Sequence, residues 1–132
     1  MSENLNKVKS YLLEMDVKIT KENETEELVV IQDEDRGIQN MIIDCEEPIV
    51  IIEQPIIPIP KENKAELYKR LLQMNHEMVH GAFVINEEET TVFYRDTLQL
   101  ENLDKNELEA SISSLSLALA ENANELIEFA KK

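Results

Sequence analysis

Leu5, Val8, Leu12 and Met15 recur at spacings of three, four and three, which predicts an amphipathic helix over residues 3–15. The polar, acidic stretch Lys18–Glu27 follows, with room for a short edge strand at Val17–Thr20. Three β-branched runs come next: Glu27–Asp33, Ile38–Cys45 and Ile49–Gln54. They are separated by turns at Asp33–Gly37 and Glu46–Pro48, and their short spacing predicts an antiparallel meander. Ile49–Ile52 is apolar without interruption, which suggests burial on both faces. Pro55, Pro58 and Pro60 then bar a regular central strand and favour an extended, polyproline-like edge.

A second helix is expected from an Asn63 cap, with Glu66 near the capping-box position and an apolar stripe of Leu67, Leu71, Met74 and Met78. Gly81 is the predicted stop. Ala82–Asn86 and Thr90–Leu100 read as a hairpin over Glu87–Glu89. Asp96 stands among Val92, Tyr94, Leu98 and Leu100 on an apolar face, an anomaly that a local bulge or an exposed strand end would explain. Asp104, with Glu107 three residues on, opens a last helix of some 27 residues, about 40 Å long. Its stripe runs through Leu108, Ile112, Leu115, Leu119, Ala123, Leu126 and Ala130, and Leu117, Ile127 and Phe129 widen it. The width fits either a helix that covers the whole sheet or one whose C-terminal part meets a second subunit. The expected class is α+β, in the order α-β-β-β-α-β-β-α, with an antiparallel sheet packed against helices.

At 132 residues the chain is expected to form one domain, residues 1–132, with a core of its own. Its 28 acids against 13 bases leave a net charge of −15, a field that repels nucleic-acid backbones and anionic membrane surfaces. The one cysteine, Cys45, can form no internal disulfide, and the acids beside it raise its thiol pKa, so it reads as a small packed hydrophobe. No signal-peptide core is visible in Met1–Asp16 and no run reaches a membrane span, so the cytoplasm is the expected location.

His76-Glu77-Met78-Val79-His80 spells HExxH, the zinc metalloprotease signature. On a continuing helix, His76 and His80 would share one face for zinc and Glu77 would serve as general base. Gly81 and a strand follow at once, however, and Phe83 and Asn86 stand where a longer metzincin pattern needs glycine and a third histidine. Glu101, Glu107 and Glu109 are conceivable third ligands only because the chain is rich in acids. The expectation is no catalytic residue, no cofactor and no metal, with His76, Glu77 and His80 kept as a zinc-hydrolase alternative. No glycine-rich phosphate loop, serine elbow or calcium loop is present.

Leu71-Leu72-Gln73-Met74-Asn75 followed by Gly81-Ala82-Phe83-Val84-Ile85 resembles the YbjN-like, Tir-chaperone-related family, as does Thr97-Leu98-Gln99-Leu100 before Leu103-Asp104. The resemblance implies the type III secretion chaperone fold, an acidic cytoplasmic homodimer, and no catalysis. It implies a protein or peptide client held in extended form, with no nucleic acid and no membrane as partner. Ile56, Ile57 and Ile59 are the expected client contacts, through edge pairing and side-chain pockets. A regulatory or scaffold protein acting through its acidic surface is the alternative.

Overall fold

The computed structural model describes residues 3–131. The elements are α1 (Glu3–Glu14), β1 (Lys18–Asn23), β2 (Leu28–Asp33), a 3-10 turn (Glu34–Arg36), β3 (Ile38–Glu46), β4 (Ile49–Pro58), α2 (Lys64–Glu77), β5 (Ala82–Ile85), β6 (Thr91–Gln99) and α3 (Lys105–Ala130). The strands form one antiparallel sheet in the order β1-β2-β3-β4-β6-β5. The meander therefore has four strands where the hydrophobic pattern indicates three and a short edge. The expected edge strand is β1, which runs on to Asn23; it is nearly all exposed, so it carries little burial signal and is held by its ladder to β2.

The helices share one face of the sheet. Val29, Ile43, Ile52, Tyr94 and Phe83 point inward from successive strands and meet Leu5, Leu12, Leu67, Leu108, Ile112 and Leu115 in one core. Burial of such aliphatic side chains is worth about 2 kcal/mol each and outweighs the local preferences of individual residues. Asp104 caps α3 as its sequence indicates, its Oδ1 accepting from the Glu107 N–H at 2.8 Å.

Three local expectations are corrected. Asn63 precedes α2 with a left-handed φ of 63°, and its side chain makes no capping bond. Helix α2 stops at Glu77, where Met78 turns extended, rather than at Gly81. The residues from Pro55 to Pro58 do lie within a strand, since β4 pairs with β6 as far as Pro58–Thr91. A register shift between Pro55 and Ile57 absorbs the prolines, and β3 accompanies β4 only to the Ile42–Glu53 pair. Beyond that pair Gln54, which is buried, takes over with its side-chain amide. Its Nε2 donates to the Gly37 carbonyl and its Oε1 accepts from the Gln39 N–H, both at 3.1 Å. The irregularity expected at Asp96 thus sits on the neighbouring strand. Asp96 remains in register opposite Ile52, its Oδ1 accepting from the Thr97 N–H at 2.9 Å.

Candidate protein-binding surfaces

The HExxH stretch is a corner. Because α2 ends at Glu77, His80 lies beyond the helix and does not share a face with His76. The His76 imidazole lies 3.4 Å from Glu77, and both side chains stand in solvent. What the corner does is join helix to strand. Ser114 Oγ donates to the His80 carbonyl at 2.6 Å and accepts from the His80 N–H at 3.2 Å. The Tyr94 hydroxyl donates to the Ser111 carbonyl at 2.7 Å, and burial pushes its pKa up to about 12, so it stays a donor. Gly81, with a φ of 71°, lies close against the hydroxyl end of Tyr94.

Asn75, in the motif that carries the family resemblance, holds the β5 edge. Its Oδ1 accepts from the Phe83 N–H at 2.7 Å and its Nδ2 donates to the Phe83 carbonyl at 3.1 Å. Both backbone groups face away from β6, so the carboxamide occupies the place where an added strand would pair. The other edge, β1, is exposed and offers Lys18 and Lys21.

The face of the sheet opposite the helices carries many apolar side chains around an ion pair between Glu53 and Arg95, 2.8 Å apart. Leu28, Val30, Ile49, Ile51, Phe93 and Val84 are half-buried on it, and Ile42 is 37% exposed. Of the three isoleucines singled out in the sequence, Ile57 is only 9% exposed and faces the core opposite Val92. Ile56 and Ile59 are half-buried and pack against the core's margin, so these two keep accessible surface at the rim. A separate patch on the α2–β5 flank is formed by Tyr68, Leu72 (71% exposed), Phe83 and Ile85 around a shallow depression of about 280 Å³. Periodicity could not have found the open face, because outward strand positions carry the same residue types as inward ones.

Asp44 stands among these outward apolar residues, opposite Leu28 and Ile51, with the carboxylates of Glu46 and Glu53 on the same face. Burial pushes its pKa up to about 6, the facing Glu46 carboxylate adds to this, and Glu26 and Glu27 contribute further. Its Oδ1 is buried and meets no donor. Burial likewise pushes the neighbouring Cys45 thiol up to about 11, which leaves it inert at neutral pH. The consequence for stability has a definite sign. An unfolded Asp44 releases its proton near 3.8 and the folded one near 6, so the native state binds more protons in between, and stability falls as pH rises through that window. After a discount for partial exposure, Asp44→Asn is expected to stabilise the fold by about 1 kcal/mol at neutral pH. The gain should vanish below pH 3.8, where both unfolded and folded Asp44 are protonated. Thermal unfolding of the two proteins across that range checks it.

A family model described as CesT_Tir_1 matches residues 1–132. No curated protein matches the sequence at a significant level. Among solved structures, YbjN from E. coli superposes with a TM-score of 0.71 at 10% identity, covering 92% of each chain. A chain of the HopA1–SchA chaperone–effector complex gives 0.63 at 8% identity, covering 98% of this chain and 96% of that one. The Yersinia pestis type III secretion chaperone SycH, in complex with a fragment of YscM2, gives 0.56 at 9%, covering 96% and 98%. At such identities the likeness establishes the fold, and that fold is type III secretion chaperone-like.

Proposed function

The chain belongs to the CesT_Tir_1 family, and from that premise we propose that it is a non-catalytic, chaperone-like protein that holds an extended segment of a partner polypeptide. The observation that carries this reading is the sheet face free of helices, where apolar side chains on five neighbouring strands remain in contact with water. These apolar side chains flank the Glu53–Arg95 ion pair that crosses the face, and clustered apolar surface of this kind is costly to leave open and marks a binding site. The client lies across that face, with Ile56 and Ile59 at its rim and Ile57 supporting them from the core. Pairing at the β5 edge contributes little, because Asn75 already bonds the Phe83 backbone. The protein acts in the cytoplasm as a homodimer joined through the α2–β5 flank, where Leu72 and Ile85 are exposed and Lys64 and Lys69, with Glu89 beside the Tyr68 hydroxyl, supply both signs of charge.

The test pairs native mass spectrometry with an array of peptides in extended form. A dimer is expected for the parent and a monomer for Leu72→Asp. Ile42→Asp, at an exposed position, should keep the fold and lower peptide binding at least tenfold, with little dependence on salt. Binding that survives Ile42→Asp but collapses in high salt would shift the assignment to a scaffold acting through acidic surface.

A further inference from the structure

Helix α3 is clasped at two places, to α2 and to the corner that follows it. At one, Arg70 grips Glu125 through two bonds of 2.5 and 2.8 Å, which hold the glutamate's pKa down. At the other, Ser114 holds the backbone of His80. Between the clasps the helices do not close, and a groove of about 300 Å³ remains. Its floor is Met74, Met78 and Ala118, and its lips carry Val79 and Leu117, which are 78% and 58% exposed. The gap follows from the sequence of α3, because Ala110, Ser113 and Ala118 are too short to reach across.

The lips are charged with one sign. Glu77 and Glu121 line them, and no Lys or Arg does among the described residues. We infer that this groove receives a short amphipathic helix of another protein, with apolar residues on the inserted face and Lys or Arg beside them. The flexible methionine floor suits side chains of varied shape. A guest helix satisfies its own backbone, whereas an extended segment would find no unpaired backbone to bond between two helices. Two acidic lips on a chain of net charge −15 select a basic guest. They also disfavour a second copy of this chain, since a two-fold contact would bring Glu77 and Glu121 against their own counterparts with no base between them. The site is separate from the open sheet face and does not depend on the client reading.

A synthetic Leu/Lys amphipathic helical peptide, titrated by fluorescence anisotropy, tests the inference. The parent is expected to bind one peptide per chain. Leu117→Asp and Val79→Asp each add negative charge, so a diffuse electrostatic association would strengthen in both. Insertion into the groove instead predicts at least tenfold weaker binding in each. Glu77→Gln with Glu121→Gln should reduce the salt dependence. Both positions altered to Asp are solvent-exposed, and circular dichroism confirms that the variants fold. Unchanged or tighter binding in Leu117→Asp and Val79→Asp would overturn the inference. So would conversion of a dimer to a monomer by these substitutions, which would make the guest a second copy. Loss of groove binding leaves the Ile42→Asp experiment unaffected, so the two readings fail separately.

Discussion

Gly81→Ala is expected to destabilise the protein by about 3 kcal/mol, read as a lower urea midpoint with an unchanged slope. Two costs combine. The φ of 71° forces an L-residue into the left-handed region. A Cβ there would also meet Tyr94, 2.5 Å from its hydroxyl oxygen and 2.6 Å from its ring carbons. The Tyr94 side chain cannot step aside cheaply. It is fully buried, and its hydroxyl is tied to Ser111 on α3. Movement of the ring would therefore loosen the contact between β6 and α3 as well. Gly37→Ala is the internal control. Gly37 has nearly the same φ, 76°, but its Cβ would meet only the tip of Leu119, at 2.9 Å, which can rotate away. Its expected cost is about 1 kcal/mol. Equal costs at the two glycines would show that Tyr94 exerts no constraint on the corner.

Ile57→Asp is the second large effect. The side chain is 9% exposed and sits on the core face opposite Val92, one residue past the irregularity in β4. An aspartate there loses the aliphatic burial and desolvates a carboxylate with no partner, a cost of about 4 kcal/mol. Ile59→Asp, at a half-buried position, should cost about 1 kcal/mol. Loss of client binding in Ile57→Asp would consequently report unfolding, and only Ile56 and Ile59 can report contact. Thermal unfolding followed by circular dichroism separates the cases. A folded Ile57→Asp protein with a parent-like melting temperature would place that side chain outside the core.

Much of the fold was legible because its cause is local. The stripe of Leu5, Val8 and Leu12 made α1, and the Asp104–Glu107 pair made the start of α3. Leu67, Leu71 and Met74 form one stripe in the sequence and one buried face in the structure. The sequence points to Gly81 as the stop of α2, whereas Met78 already turns extended, because glycine is only one way to stop a helix. Here Ser114, 34 positions further along, holds the His80 backbone in the corner, and no local signal announces such a bond. Gln54 and Asn75 are similar. Each replaces ladder hydrogen bonds with a side-chain amide, a role visible only once the strands are in place.

The sequence by itself determined which residues are apolar, where helices begin, that the fold is α+β and which family's motif it carries. It could not decide which face of the sheet the helices take. Inward Ile43 and outward Ile42 are the same residue type one position apart, and only the packing of three helices on one side makes the first core and the second surface. Nor could it decide that the histidines of an HExxH string part company. That depends on a corner built from Ser111, Ser114 and Tyr94, residues distant in the chain that meet only when α3 lies against β6. Periodicity records each segment's preference for water or core. Which segments meet is decided by the collective burial of all of them at once.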